Sequence, residues 1–269
     1  SVDIPTFSTN DEISGNDIYS YGYAFTAGDL DDAVYSLSTV FEDMLKLAEV
    51  EKSCQLMATE IEKTRRTMHV FYTPDIASNL ELPEEEAGHC LRVLRLSIGD
   101  EIMLTDGKGC FYKAVISAAS GKRCQVKVTE TIPQEKGWNG WLHIAMAPTK
   151  NMDRTEWFTE KATEIGFDEL SFLNCRYSER KVIKKERIEK ILVSAVKQSL
   201  KATMPVLNEM TDFNKFVSRD FKGQKFIAHC YEGEKPLLKD ILRSGEDALV
   251  MIGPEGDFSE EEVAKAIAA

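Results

Sequence analysis

The stretch LVMIGPEGDFSEEEV, residues 249–263, joins a run of apolar residues to a turn that contains two glycines. A helix start follows, because Ser259 and Glu262 have the spacing of a capping box, in which the two side chains bind free backbone N–H groups at the helix end. The order strand, tight turn and helix is that of a unit in a parallel α/β sheet. Ligands bind at the carboxyl ends of such strands, so this turn is the first candidate site.

The two glycines and the carboxylate of the turn restrict the ligand. Gly253 and Gly256 can adopt positive φ and let a ligand touch the backbone, although an ordinary tight turn explains them equally well. Glu255 lies between them and would repel a phosphate. The turn therefore favours a ligand that is uncharged or cationic at this point.

A second strand end of the same form lies upstream. The stretch AHCYEGEK, residues 228–235, ends an apolar run with polar groups and a glycine. If the two strands are neighbours, their ends line one pocket. His229 lies in this second strand end, and a purely structural role is the alternative to a role in the site.

The pattern around these strands predicts the rest of the parallel sheet domain, over residues 141–269. Strand and helix patterns alternate from Trp141 onward. A helix over 153–165 is predicted to turn Phe158, Ala162 and Ile165 inward. A second helix over 184–200 has its own inward stripe, formed by Ile188, Ile191, Leu192, Ala195 and Val196.

Residues 68–132 have a different pattern, of short apolar runs separated by turns. Asp106-Gly107 and Ser120-Gly121 are typical of hairpins. This region is predicted to be a small β-barrel with one short helix over 84–96, and residues 133–140 read as a linker.

The first quarter of the chain is predicted to be a separate segment, and the domain boundary is expected near residue 67. Apolar residues over 31–66 recur at alternating spacings of three and four. That spacing is typical of a coiled-coil-like or bundle helix.

Composition excludes several classes. The chain of 269 residues has no apolar run long enough to cross a membrane and no secretory signal pattern. Its six cysteines form no C-x-x-C pair, which favours reduced thiols in a cytosol, and no metal-site spacing is present. The net charge of −12 argues against nonspecific nucleic-acid binding, yet residues 176–201 hold nine Lys or Arg and only three Glu. A specific nucleic-acid contact is therefore compatible with the sequence.

Residues 68–269 resemble the RsmE family, bacterial methyltransferases of the SPOUT class. The resemblance lies in four stretches, 85–109, 147–182, 196–205 and 251–263, in family order. It implies a trefoil-knotted α/β domain, a PUA-like β-barrel for RNA, S-adenosyl-L-methionine as cofactor, and a cytoplasmic homodimer. The implied reaction is methylation of N3 of a uridine in 16S rRNA of the small ribosomal subunit.

The resemblance also implies site residues. By this resemblance, the residues expected to contact the cofactor are Ala228, His229, Glu232, Ile252, Gly253, Pro254, Glu255, Gly256 and Phe258. The residues expected to contact RNA are Arg92, Arg95, Lys150, Arg154, Arg180 and Lys181. The alternative interpretation is that these residues only form a charged surface in contact with water. Arg92 and Arg95 are expected on one face of the short helix. No residue is singled out as catalytic.

Two departures from the family pattern affect the cofactor pocket. The family continues with a further strand and helix, whereas this sequence stops at Ala269. Asp257 stands where the family usually has glycine. The sequence therefore predicts a C-terminally truncated methyltransferase domain with impaired cofactor binding.

The first segment, over residues 1–67, resembles another family. CQLMATEIEKTRR, residues 54–66, is similar to the long helix of the D subunit in the central stalk of V-type ATPases. This gives the alternative of a structural or interaction protein, with V-type ATPase subunits as partners of residues 1–66. An RNA-binding relative without turnover is the third hypothesis.

The change of pattern near residue 67 predicts that residues 1–66 contribute nothing to the methyltransferase fold. Deleting them is expected to leave the thermal unfolding midpoint of the remainder almost unchanged, as measured by calorimetry. Loss of the cooperative transition in the shortened chain would contradict this independence.

Overall fold

The structure, a computed structural model, describes residues 69–233 and 235–269. These residues fall in one compact unit. The predicted helix over 31–66 and the segment 1–67 that resembles a V-type ATPase stalk protein lie outside the described residues. Within the described ranges, no helix is long and apolar enough to cross a membrane.

A four-stranded sheet occupies the first part of the described chain. In spatial order its strands are β1 (Val70–Tyr72), β2 (Glu101–Thr105), β3 (Cys110–Ser120) and β4 (Arg123–Pro133). β1 runs parallel to β2, and the other neighbours are antiparallel. Both predicted hairpins are confirmed. The core packs between this sheet and a helix, and its fully buried side chains include Phe71, Ile76, Ile102, Leu104 and Ile116.

The helix on this core is α1 (Glu84–Gly88), which continues as a π-helical turn over His89–Val93. The short helix predicted here is confirmed. The placement of both arginines on one helical face is wrong, because the helix ends before Arg95. Arg95 adopts the left-handed region with φ 57°, and the Leu96 N–H then donates to the Cys90 carbonyl. Such a residue closes a helix end.

The parallel sheet follows. Its strands are β5 (Leu142–Met146), β6 (Glu169–Asn174), β7 (Val206–Leu207), β8 (Thr211–Asp212), β9 (Gln224–Ala228) and β10 (Ala248–Ile252). The spatial order is β7-β6-β5-β10-β9, with β8 also pairing with β6. All of these pairs are parallel, so the predicted parallel α/β sheet is confirmed.

In the described part of the chain, five helices accompany this sheet: α2 (Met152–Ile165), α3 (Lys185–Gln198), α4 (Phe213–Val217), α5 (Leu238–Ile241) and α6 (Glu260–Ala268). The predicted inward stripe of α3 is confirmed, since Ile188, Leu192, Ala195 and Val196 are buried and Ile191 is partly buried.

The inward face of α2 matches the prediction in part, because Ala162 is buried and Phe158 packs on the core. Its buried positions include Thr155, Thr159 and Thr163, whereas Ile165 is 38% exposed and Phe158 is only partly buried. The hydroxyl of Thr159 donates to the Thr155 carbonyl, and that of Thr163 donates to the Thr159 carbonyl. These bonds satisfy the hydroxyls within the helix, so threonine can replace an apolar residue there.

The four-stranded sheet contacts the parallel sheet domain through the segment after α3. The Gly109 N–H donates to the Ala202 carbonyl at 2.9 Å, and the Met204 N–H donates to the Gly107 carbonyl at 2.8 Å. Close packing of Met204 and Tyr72 leaves no room for a side chain at Gly107. The two sheets are therefore fixed to each other by backbone bonds.

The linker between the sheets is held by Asp168, which is only 8% exposed. Its carboxylate accepts hydrogen bonds from Lys136 Nζ at 2.9 Å, Trp138 Nε1 at 3.0 Å and the Leu142 N–H at 2.8 Å. The Trp138 ring covers Gly166, where a Cβ atom would lie 2.5 Å from the ring. The linker is thus part of the folded structure.

Asp168→Ala is expected to lower the free energy of unfolding by about 3 kcal/mol, because three donors lose one buried acceptor. Urea unfolding measures this loss. Glu246→Ala is the control, since Glu246 pairs with Arg243 at 2.8 Å on the surface, where water and salt screen the pair and its loss changes stability little. Equal losses in the two variants would show that Asp168 does not hold the linker.

Candidate cofactor site at the carboxyl ends of the strands

Four neighbouring strands, β6, β5, β10 and β9, end at the same edge of the parallel sheet. In the ladder, Ile252 is the register partner of Met146 on one side and of Ala228 on the other. The ends of β9 and β10 therefore lie side by side, which is the condition under which they would line one pocket. The loops after the other three strands converge on the turn at 253–257 that follows β10.

The glycines of this turn are needed for close packing. Gly253 and Gly256 do not have positive φ, so that part of the prediction is wrong. A Cβ atom on Gly253 would lie 3.1 Å from the backbone nitrogen of Phe258, and one on Gly256 would lie 3.0 Å from the Cβ of Tyr177. The left-handed residue is Asp257, with φ 64°. Aspartate is enriched in this region.

Three carboxylates of the stretch accept backbone N–H groups from the three neighbouring loops. Glu255 Oε1 accepts from Lys150, after β5, at 2.8 Å. Asp257 Oδ2 accepts from Cys230, after β9, at 2.6 Å. Glu262 Oε1 accepts from Arg176, after β6, at 2.8 Å. Hydrogen bonds to carboxylates are stronger than neutral ones, so this stretch binds the four loops together.

Glu262 also completes the predicted capping box. Its other oxygen accepts from the Ser259 N–H at 2.9 Å, and the Ser259 hydroxyl accepts from the Glu262 N–H at 3.3 Å. The helix start is therefore fixed to the loop after β6. Phe258, which is fully buried, anchors the turn in the core.

Tyr231 adds a second bond between the loops after β9 and β10. Its hydroxyl donates to the Phe258 carbonyl at 2.7 Å. Burial, together with the charge of Asp257, raises the pKa of Tyr231, so the hydroxyl stays protonated and continues to donate.

A cleft of about 520 Å³ lies between the loop after β9 and α6. Its polar walls are His229, Glu232 and Glu260, and its apolar walls include Val263 and Ile267. Pockets for small ligands are typically about 300–1,000 Å³. The two carboxylates favour a cationic ligand group.

Two buried polar atoms at this edge make no hydrogen bond within the described part of the chain. They are His229 Nδ1 and Asn174 Oδ1. Buried polar groups in folded proteins are nearly always paired, so each is open to a partner outside the described residues, such as a water or a ligand.

The predicted cofactor residues occupy distinct places at this edge. His229 and Glu232 line the cleft, with Ala228 just before them at the end of β9. The residues of the adjacent turn, Ile252, Gly253, Pro254, Glu255 and Gly256, do not line it.

The predicted RNA residues also separate into groups. Arg180 donates to the carbonyl oxygens of Thr149 and Lys150, at 3.2 and 2.7 Å, and so fixes the loop after β5. Lys150 Nζ forms an exposed ion pair with Glu179 at 2.8 Å. The remaining four are exposed, namely Arg154, Lys181, Arg92 and Arg95.

Sequence reasoning missed the bond of Asp257 to the loop after β9, and it missed Tyr231 and Tyr177 as parts of this edge. Each lies in a loop, where apolar periodicity gives no information. The β6 loop also holds Cys175, but burial raises the pKa of its thiol to about 12. It is therefore a neutral packing group, since only a thiolate is a nucleophile.

Comparisons with known proteins agree with this architecture. Residues 136–269 match the family described as RNA methyltransferase domain, and residues 82–129 match the RNA methyltransferase PUA domain. Residues 1–72 match the D subunit of ATP synthase. Curated D subunits of V-type ATP synthase from Clostridioides difficile and Acetivibrio thermocellus are 40% and 41% identical over 104 and 108 residues. These matches cover 36% of this chain, which spans about half, 47%, of those relatives.

Solved structures match the remainder of the chain. A putative methyltransferase from Legionella pneumophila with the bound cofactor SAM and a ribosomal RNA small subunit methyltransferase E from Neisseria gonorrhoeae bound to S-adenosyl methionine have TM-scores of 0.67 and 0.64. Both are 22% identical to this chain, and each match covers 75% of it. The matches cover 86% and 85% of the two solved chains, respectively. At this level of identity the likeness shows the fold alone. A probable rRNA-methyltransferase from Porphyromonas gingivalis is 44% identical, with TM-score 0.71, over 75% of this chain and 86% of that one. This chain belongs to the RNA methyltransferase family.

Proposed function

We propose that the protein transfers a methyl group from S-adenosyl-L-methionine to N3 of a uridine in 16S rRNA of the small ribosomal subunit. The observation that carries the proposal is the edge of the parallel sheet, where four loops meet beside a cleft lined by His229, whose buried Nδ1 has no hydrogen-bond partner within the described part of the chain. The family of the chain supplies the reaction class, and the resemblance to RsmE supplies the nucleotide.

The cleft residues fit this cofactor chemically. Glu232 and Glu260 present carboxylates to a sulfonium cation, and the apolar residues of α6 cover an uncharged part of the ligand. His229 Nδ1 would hold a polar group of the cofactor. The turn after β10 does not line the cleft. Its contact with the cofactor, through the backbone between Ile252 and Gly256, is proposed from the resemblance to RsmE alone.

The bound cofactor supplies an already activated methyl group. The protein chiefly has to hold N3 of the uracil in line with it, because orientation lowers the barrier of a displacement. N3 must also lose its proton, and a nearby cation would favour the uridine anion. Arg176 and Lys181, which are exposed on the loop after β6, are the candidates for that role.

The remaining parts of the proposal follow the same resemblance. The target uridine is presented out of its stack, as in a loop or single strand. The parallel sheet domain has the trefoil knot of the SPOUT class, and the protein acts as a homodimer in the cytoplasm. The PUA domain and the basic residues Arg92, Arg95, Lys150, Arg154 and Lys181 bind the RNA.

A second candidate function rests on a different observation. The 40% identity to the D subunit of a V-type ATP synthase over 104 residues supports a stalk-like interaction segment at the start of the chain. Copurification of ATPase subunits with the full chain would favour this function, and its failure would leave the methyltransferase proposal intact.

The main test incubates the purified protein with small ribosomal subunits and methyl-labelled S-adenosylmethionine. We expect label in 16S rRNA, recovered after nuclease digestion as 3-methyluridine. Stable binding of the subunits without transfer would favour the binding-only hypothesis. Label in a different nucleoside would keep the enzyme class and overturn the proposed target.

The unpartnered nitrogen of His229 gives a specific prediction for cofactor binding. His229→Phe removes Nδ1 while keeping a ring, and is expected to weaken S-adenosylmethionine binding about 3- to 10-fold, the value of one hydrogen bond. His229→Asn, which retains a short polar group, is expected to lose less. Calorimetric titration measures both affinities. Identical affinities for wild type and the Phe variant would exclude a contact with Nδ1.

The exposed arginines after α1 give a prediction for RNA binding. Arg92 and Arg95 are both exposed, so each is free to meet a phosphate. The double change to Ala is expected to flatten the dependence of log affinity on log salt by about one unit per lost contact.

The matched control for this charge removal is Arg243→Ala, which removes a surface arginine paired with Glu246. Filter binding to small ribosomal subunits over a salt series measures the slope. A slope equal to that of wild type in the double variant would assign both arginines to the solvated surface.

A further inference from the structure

The loop after β6 presents an aromatic side chain at the candidate site. Tyr177 is 51% exposed, although Cys175 and Ser178 in the same loop are buried. Tyrosine rings are enriched at interfaces, where an apolar body and a polar tip are both useful, and this ring lies beside the candidate ligand site. The roles proposed for the cleft and the basic residues leave this ring without a function.

The backbone on both sides of Tyr177 is held rigidly. The Arg176 N–H donates to Glu262 Oε1 at 2.8 Å. The Cys175 N–H donates to the Ser178 hydroxyl at 2.9 Å, and the Ser178 N–H donates back to the Cys175 carbonyl at 3.1 Å. A ring on a fixed backbone loses little entropy when a ligand stacks on it.

Tyr177 also packs directly on the turn after β10. Its Cβ lies 3.0 Å from the position that a Cβ of Gly256 would occupy. The absence of a side chain at Gly256 therefore lets the tyrosine approach the turn. This contact places Tyr177 next to the loops that would hold the cofactor.

The cations beside the ring favour a polyanion, and the Glu255 and Asp257 carboxylates of the turn on which it packs are engaged by backbone N–H groups. Arg176 precedes it and Lys181 follows it, and both are exposed. The carboxylate that lies between them in the loop, Glu179, is paired with Lys150 at 2.8 Å. Exposed aromatic rings between cations are the usual means by which proteins bind unstacked nucleotides.

We propose that the Tyr177 ring is the stacking surface for the RNA base that is presented to the methyl donor. This inference rests on the proposed function and adds to it a substrate-positioning residue. The ring holds the face of the unstacked base, and the flanking cations hold the adjoining phosphates. The hydroxyl is not required for stacking, which separates this role from hydrogen bonding.

The test compares Tyr177→Ala with Tyr177→Phe, which keeps the ring, and with Tyr177→Leu, which keeps only apolar bulk. Alanine removes the stacking surface. The loss of one stacked base corresponds to a fall of about 10- to 100-fold in kcat/KM for small ribosomal subunits. We expect that fall in the Ala variant, a partial fall in Leu, and a value within about twofold of wild type in Phe.

Two further measurements separate stacking from other roles. Affinity for S-adenosylmethionine, from calorimetry, is expected to be unchanged in all three variants. The salt slope of RNA binding is also expected to be unchanged, because stacking releases no counterions. Binding of labelled oligouridylate, measured by anisotropy, tests the ring without requiring methyl transfer.

Several outcomes would overturn the inference. Equal RNA binding and kcat/KM in wild type and Tyr177→Ala would do so. A parallel loss of affinity for S-adenosylmethionine would show that Tyr177 acts by supporting the turn at 253–257. A changed oligomeric state would show that Tyr177 contacts a second copy of the protein. If wild type transfers no methyl group, the proposed function fails, and the oligouridylate result alone then decides whether the ring binds bases.

Discussion

The candidate site depends on three hydrogen bonds from backbone N–H groups to carboxylates. Glu255, Asp257 and Glu262 all belong to the stretch 249–263, and each accepts an N–H from a different neighbouring loop. A parallel sheet brings the ends of its strands to one edge but leaves the loops free to diverge. These carboxylates supply the missing constraint, because each joins one loop to the same short turn and helix start.

Much of this arrangement can be predicted from the sequence. The parallel sheet follows from alternating strand and helix patterns, and the capping box follows from the spacing of Ser259 and Glu262. These features are local or periodic, so a single sequence contains the information that specifies them.

The details that sequence reasoning missed depend on contacts between distant residues. Glycine in the turn predicted positive φ, yet the left-handed residue is Asp257 and the glycines make room for Phe258 and Tyr177. The helical spacing of Arg92 and Arg95 could not reveal that the helix ends between them. The threonine face of α2 has no apolar signal, because its hydroxyls are satisfied inside the helix.

The backbone bonds between the two sheets have a consequence for substrate choice. Because Gly107 and Gly109 are bonded to the segment at 202–204, the backbone of the four-stranded sheet is joined directly to the domain that carries the loops after β6 and β10. An RNA held by the first sheet would therefore meet the site at one fixed separation. Under the proposed function, the protein would then select a nucleotide by its distance from the RNA segment held on the four-stranded sheet as well as by its base.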